Sequence, residues 1–91
     1  MKRIRRLEWD ERNLEHISEH GVSPDEVEQV CFGGALVRRS RAGTRVLYGR
    51  TTAGVYLLVV VYLKPQGVAR CITARPMTAN EKRHFRRRRP Q

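Results

Sequence analysis

The sequence has few acidic residues and no long apolar run. Nine Asp and Glu stand against 19 Lys and Arg, which gives a formal net charge of +10 over 91 residues. The longest apolar stretch, Val55 to Leu63, is less than half of the roughly 20 residues that a membrane-spanning helix needs. The basic N-terminus runs into Glu8, Trp9 and Asp10 without an apolar segment. We therefore expect no secretory signal, no membrane partner and a cytoplasmic location.

Cysteine is also scarce, and only Cys31 and Cys71 are present, each in an apolar stretch. In a reducing compartment the expected state of both is a buried free thiol rather than a disulfide. His16 and His20 are four residues apart, a spacing that suits a metal pair on a helix, but a third ligand at suitable spacing is missing. The sequence therefore predicts no metal site and no cofactor.

The excess of positive charge is the main feature that is present. Charge of this density destabilises a small domain by self-repulsion, so it indicates a partner rich in negative charge. A nucleic acid, an anionic membrane and an acidic protein all fit, and the absence of a long apolar segment argues against membrane insertion. A chain of 91 residues has room for one core, so we expect a single domain over residues 1–91 with a basic tail at 86–91.

Three segments have the pattern of helices. Asp10 is placed to cap a helix over residues 11 to 20, which Gly21 ends. Ser23-Pro24-Asp25-Glu26 is a capping box with proline at the first helical position, and Gly33-Gly34 ends that second helix. Thr78-Ala79-Asn80-Glu81 repeats the capping box, which predicts a final helix from about residue 79 to the late eighties.

The remaining segments have the composition of strands. Arg3 to Glu8 alternates basic and apolar residues, and four later segments rich in Val, Leu, Ile, Tyr and Thr are separated by short breaks with glycine. These four segments are Ala35 to Arg38, Arg45 to Thr51, Val55 to Lys64 and Val68 to Arg75. The predicted order is β-α-α-β-β-β-β-α, an α+β fold with a mostly antiparallel, twisted sheet and all helices packed on one face.

Several of these segments together resemble a known family. Trp9-Asp10-Glu11 with Asn13, then His20-Gly21-Val22 and the capped second helix, are similar to the opening of the BrnT-type toxins, a RelE-like group. The similarity continues through Gly49-Arg50, the strand Tyr56 to Tyr62, Ile72-Thr73-Ala74-Arg75, and Thr78 with Glu81. It extends from about Leu7 to Phe85 and leaves only the arginine tail outside.

The resemblance implies a RelE-like fold and the toxin of a type II toxin-antitoxin system, a metal-independent endoribonuclease that cleaves mRNA, free or bound to the ribosome, and blocks translation. It also implies a cognate antitoxin with a ribbon-helix-helix domain, in a complex that binds operator DNA and represses its own operon. Relatives in the wider RelE-like group place a tyrosine near an end of the last helix, where this chain has His84-Phe85. A catalytic tyrosine is therefore not expected there.

RNA cleavage without a metal uses the 2′-hydroxyl of the substrate as nucleophile, so the protein must move protons and stabilise the charge at phosphorus. Arg50 and Arg75 are the candidate phosphate ligands, because the guanidinium fork fits a phosphate bidentately. His84 is the first candidate for the proton donor or acceptor, and His20 is the second. The candidate contacts to the RNA backbone are Lys64, Arg38, Arg45, Arg70, Lys82 and Arg83.

Each assignment has a structural alternative. Arg50 and Arg75 could cap strand ends in solvent or pair with a carboxylate such as Glu81. His20 could be a cation favoured by the C-terminus of its helix, and Trp9 fits the core better than a stack on a base. The function has alternatives as well: a non-catalytic module that binds nucleic acid or an antitoxin, such as a degenerate toxin or co-repressor, or a gyrase inhibitor of the ParE type.

Overall fold

The computed structural model describes residues 4–88, which form three helices around a five-stranded sheet of order β1-β5-β4-β3-β2. β2 to β5 are antiparallel neighbours, whereas β1 pairs in parallel with β5. The α+β prediction is confirmed, and Arg3, the first residue of the predicted first strand, lies outside the described residues. The elements are β1 (Arg6–Glu8), α1 (Glu11–Ser18), α2 (Pro24–Phe32), β2 (Leu36–Arg39), β3 (Thr44–Arg50), β4 (Tyr56–Leu63), β5 (Val68–Pro76) and α3 (Ala79–Arg88).

Side-chain caps determine where α1 and α2 begin. The Asp10 carboxylate accepts a hydrogen bond from the Asn13 amide at 2.9 Å, and the Asn13 side chain accepts one from the Asp10 amide at 2.8 Å. Ser23 and Glu26 form the same reciprocal pair at 3.2 and 3.0 Å. Such a cap contributes about 1 kcal/mol to the stability of its helix.

Within residues 4–88, no helix has the length and apolar content that crossing a bilayer would need.

α1 and α2 cover one face of the sheet, which we refer to as the α1–α2 face, and bury the main core there. Complete burial of each large aliphatic side chain contributes about 1.5–3 kcal/mol. Gly49 allows α2 to pack closely, because a Cβ added to it would lie 2.8 Å from Cγ1 of Val30. The fully buried side chains of this core include Ile17, Val27, Val30, Leu47, Leu57, Val59 and Val61.

α3 packs on the opposite face of the sheet, so the prediction that all helices lie on one face is wrong. Side chains alternate along a strand, and Tyr48 and Leu58 therefore point away from the main core. They form a second buried cluster with Met77 and with Phe85, which is 4 % exposed. We refer to this side as the α3 face. The sequence could not assign α3 to it, because which strand residues share a face with Phe85 depends on the register.

The two cysteines are free thiols, of which Cys71 is buried and Cys31 is partly buried. Burial raises the pKa of Cys31 to about 12 and that of Cys71 to about 11, so neither thiol ionises near neutral pH. Trp9 packs against the main core, as predicted, and its indole donates a hydrogen bond to Glu28 at 3.4 Å. The chemistry of the protein must therefore come from other side chains.

Candidate active site

The α3 face collects several of the arginines that the sequence indicated. Arg50 lies at the end of β3 directly opposite Tyr56 on β4, and the alternation of side chains places both on this face. Arg75 on β5 and Arg38 on β2 share it, because their partners in the register, Leu58 and Val46, point the same way. Arg45 is five residues from Arg50 on the same strand, an odd separation, and therefore lies on the α1–α2 face.

Three cations surround the ring of Tyr56, and we refer to these four residues as the Tyr56 cluster. The guanidinium carbons of Arg50 and Arg86 lie 5.8 and 5.2 Å from the ring centroid, and the ammonium of Lys82 lies 5.6 Å from it. Arg86 also donates a hydrogen bond from Nε to the phenol oxygen at 3.4 Å. The predicted basic tail thus begins within α3, and its last residues, 89–91, lie outside the described residues.

The Tyr56 cluster concentrates positive charge that no carboxylate neutralises. Among the ion pairs of residues 4–88, none involves Arg50, Lys82 or Arg86. Hydrogen bonding by Arg86, and next by Arg50, stabilises the phenolate and lowers the pKa of Tyr56 from 10.0 to about 8. At pH 7 about one-tenth of the phenol is then ionised. The arrangement places a group that can accept a proton among cations of the kind that can bind a phosphate.

Arg75 forms a bidentate ion pair with Glu81, as the structural alternative proposed. Its two terminal nitrogens donate to the two carboxylate oxygens, each at 2.8 Å. Hydrogen bonding by Arg75 lowers the pKa of Glu81 to about 2, and the same carboxylate raises the pKa of Arg75. Glu81 also accepts from the Thr78 amide at 2.9 Å, which closes the capping box of α3. Arg75 therefore joins β5 to the start of the helix that carries Lys82 and Arg86.

The structure does not bring either candidate histidine to the Tyr56 cluster. His84 is exposed on α3, two residues from both Lys82 and Arg86, and at about 100° per residue it points to the opposite flank of the helix. His20 is exposed after the end of α1, on the other side of the sheet, with its ring centroid 5.6 Å from that of His16. Residues 4–88 contain no group of three His, Cys, Asp or Glu side chains that could hold a metal ion.

The remaining candidate cations are engaged in local contacts. Lys64 donates to Glu8 at 3.0 Å, and this hydrogen bond is the main reason why the pKa of Glu8 is lowered. Arg70 pairs with Glu8 at 3.7 Å and with Asp10. Arg83 donates to the side chain of Asn80, and none of these residues contacts the ring of Tyr56. Carboxylates thus neutralise the end of the sheet that holds Glu8, in contrast to the Tyr56 cluster.

The sequence analysis did not select Tyr56, and it indicated Arg86 only as part of the basic tail. The signal in the sequence that points to the tyrosine is the Ala53-Gly54 break between the two strands. In the structure, residues 51–54 form a tight turn, and the Thr51 amide donates to the Val55 carbonyl at 2.9 Å. This closure sets Arg50 opposite Tyr56. Arg86 follows from Phe85, because a helix with that side chain buried must turn Lys82 and Arg86 together towards one flank.

Comparisons with known proteins identify a family and a similar fold. A profile of the family described as "Ribonuclease toxin, BrnT, of type II toxin-antitoxin system" matches residues 9–81. Among solved structures, the 1.1 Å crystal structure of the Brucella abortus ribonuclease toxin BrnT is similar, with a TM-score of 0.67 at 20% sequence identity. The match covers 80% of this chain and 96% of that chain, and at this identity it shows the fold alone. No curated protein matches the sequence significantly.

Proposed function

The chain belongs to the BrnT family of ribonuclease toxins of type II toxin-antitoxin systems, and we propose that the Tyr56 cluster is its active site. Membership of the family confirms the predicted endoribonuclease function, with RNA as substrate and an antitoxin as partner. The observation that supports the assignment of the site is the geometry around Tyr56, where Arg50, Lys82 and Arg86 lie 5.2 to 5.8 Å from one ring and have no carboxylate partner among residues 4–88.

In the proposed mechanism the Tyr56 phenolate removes the proton from the 2′-hydroxyl of the ribose. The 2′-oxygen then attacks phosphorus, the bond from phosphorus to the 5′-oxygen breaks, and that oxygen takes a proton from the ammonium of Lys82. Arg50 and Arg86 bind the nonbridging oxygens and stabilise the charge that develops on them. The products are a 2′,3′-cyclic phosphate and a 5′-hydroxyl. The four side chains supply the acceptor, the donor and the anion site, so no step in this scheme requires a metal.

Arg75 acts as a positioning residue in this proposal. Both oxygens of Glu81 occupy its guanidinium fork at 2.8 Å, so its charge is largely neutralised before any RNA arrives. The pair fixes the first turn of α3 to β5, and Lys82, the residue after Glu81, places its ammonium over the ring of Tyr56. We therefore assign phosphate binding to Arg50 and Arg86, and we leave His84 and His20 out of the site because of where they lie.

The wider setting follows the predictions made from the sequence. We propose mRNA in the cytoplasm, free or ribosome-bound, as the substrate, since a net charge of +10 favours association with a polyanion. We also propose an antitoxin that neutralises this charge with acidic residues and carries a ribbon-helix-helix domain for binding operator DNA. The fold and its charge are compatible with both partners.

The test compares the wild type with Tyr56→Phe and with Tyr62→Phe as the matched control. Tyr62 lies on the same strand and the same face, is 46% exposed and is outside the Tyr56 cluster. RNA is incubated with each purified protein in EDTA, alone and with ribosomes, and the new termini are analysed. We expect cyclic phosphate ends from the wild type and from Tyr62→Phe, and a loss of at least about 100-fold for Tyr56→Phe, in the usual range for a proton acceptor.

Three outcomes would contradict the proposal. Full activity of Tyr56→Phe would remove the tyrosine from the mechanism. Loss of cleavage in EDTA with recovery on adding Mg²⁺ would contradict a metal-independent reaction. RNA that stays intact with the wild type, with and without ribosomes, would instead favour the non-catalytic binding module. Growth after induction gives a second readout, because only strains with an active protein should arrest.

A further inference from the structure

A groove of about 480 Å³ opens beside Arg50. It lies at the edge of the sheet where the last two residues of β3, Gly49 and Arg50, extend beyond the start of β2 and have no partner in that strand. Its walls are the end of α2 with the loop that follows, between residues 29 and 35, and the end of β3 with its turn, between residues 49 and 52. Phe85 of α3 closes one side. We refer to this space as the α2 groove. It is large enough for a planar heterocycle and partly open to solvent.

The α2 groove adjoins the Tyr56 cluster: the two share Arg50, and Phe85 of the groove contacts the ring of Tyr56. Arg50 lines the groove, and its guanidinium carbon lies 5.8 Å from the centroid of the Tyr56 ring. The Phe85 ring also lines the groove, and its centroid lies 5.9 Å from that of Tyr56. A nucleotide whose phosphate is held at Tyr56 therefore has this groove within reach of an adjoining base. Proteins that read RNA sequence commonly take unstacked single-stranded bases into such sites.

The walls of the α2 groove are rich in hydrogen-bond acceptors. The Thr52 hydroxyl and the Thr52 amide both donate to Oε1 of Gln29, at 3.0 and 2.8 Å, so the hydroxyl proton is used and its oxygen can act as an acceptor. α2 ends at this wall with Gly33 as its C-cap and with no basic residue in its last turn. The last carbonyls of a helix lack donors within the helix and carry its partial negative charge. This wall therefore favours a group that donates hydrogen bonds, whereas Arg50, the cationic donor of the groove, is occupied by the phosphate in the proposed mechanism.

We propose that the α2 groove binds a base next to the cleaved bond and selects bases that carry an exocyclic amine, adenine, cytosine or guanine, over uracil. The inference rests on the proposed function of the Tyr56 cluster. An amine donates to the acceptors of the wall, with Thr52 as the nearest side-chain partner. Uracil presents carbonyl oxygens on both sides of its single N–H donor, and these would face other acceptors without a proton between them, which is unfavourable.

The experiment uses oligonucleotides that carry one ribonucleotide in an otherwise 2′-deoxy strand, so that only one position can be cut. Adenine, unsubstituted purine, cytosine or uracil is placed in turn on each side of that position, and kcat/KM is measured. Purine differs from adenine only in lacking the amine. On one of the two sides we expect adenine to be cut about fivefold faster than purine, the value of one hydrogen bond, and cytosine faster than uracil.

Two variants connect the preference to the groove. Thr52→Val removes the hydroxyl and keeps the amide that holds Gln29, whereas Thr52→Ser keeps both. We expect Thr52→Val to reduce the ratio of adenine to purine to about one and Thr52→Ser to retain it. Equal rates for adenine and purine on both sides in the wild type would overturn the base preference and leave the Tyr56 site intact. If the wild type cuts neither these oligonucleotides nor RNA of greater length, both proposals are overturned.

Discussion

Replacement of Arg86 by glutamine tests the link between the geometry of α3 and the chemistry of Tyr56. Hydrogen bonding by Arg86 is the largest of the causes that lower the pKa of Tyr56 from 10.0 to about 8. If all of that shift were lost, the ionised fraction at pH 7 would fall from about one-tenth to about one-thousandth. Because Arg50 remains, the loss from this cause should be smaller, and we expect it to lower kcat/KM at pH 7 between about 10- and 100-fold, in addition to any loss of phosphate binding by Arg86.

The profile of kcat/KM against pH shows whether the cause is the one proposed. This ratio follows the ionisation of the free enzyme, so the wild type should rise tenfold per pH unit and level off near pH 8. In Arg86→Gln the plateau should move towards pH 10. Arg87→Gln removes the same charge one position further on α3, away from the phenol, and should leave the midpoint unchanged. An unshifted midpoint in Arg86→Gln would refute the reasoning, as would an equal shift in both variants.

Three further predictions concern stability. The pKa of Glu81 is lowered from 4.5 to about 2, so the contribution of this carboxylate to the free energy of unfolding is complete above pH 4.5 and is lost as the pH falls towards 2. In Glu81→Gln the midpoint of urea unfolding should therefore fall less over this range than in the wild type. Phe85→Ala should lower the free energy of unfolding by about 3 kcal/mol and detach α3 from the sheet, because Phe85 is the only buried residue of that helix in the described part of the chain. Urea unfolding would measure the loss of stability, and circular dichroism the loss of helix. Gly49→Ala places a Cβ 2.8 Å from Cγ1 of Val30 and should cost about 1–3 kcal/mol, and adding Val30→Ala should recover part of that loss if the overlap is the cause.

Local signals in the sequence predicted the helices and strands, whereas the register between strands determined which of their side chains lie close together. Ser23 and Glu26 located the start of α2, because a capping box depends only on residues close in the chain. The choice of Arg50 depended on a resemblance, whereas its partner Tyr56 depended on a pairing between strands that the sequence did not state. His84 illustrates the same limit. The final helix was predicted, but which of its side chains faced the sheet depended on Phe85 meeting residues far away in the chain.

The side chosen for α3 has the same explanation. Its sequence has one large apolar residue among basic ones, and such a helix can lie on either face of a sheet that has an apolar patch to receive it. The α1–α2 face was already filled by two amphipathic helices, and the second patch, with Tyr48, Leu58 and Met77, became visible only when strand alternation was known. In β3 and β4 the odd-numbered residues thus face the main core, and the even-numbered residues face the candidate site.

The charge of α3 connects the stability of the protein to its proposed activity. Lys82 and Arg86 are four residues apart, and like charges at that spacing destabilise a helix by a few tenths of a kcal/mol. Both lie over Tyr56, where their repulsion falls when the phenol ionises or when a phosphate binds between them. Arg86, one of the two charges that repel each other in the free helix, is therefore also the main cause of the lowered pKa of Tyr56. Changes that remove positive charge from this flank should make the helix more stable and the enzyme slower, whereas the same changes at Arg83 or Arg87 should affect stability alone.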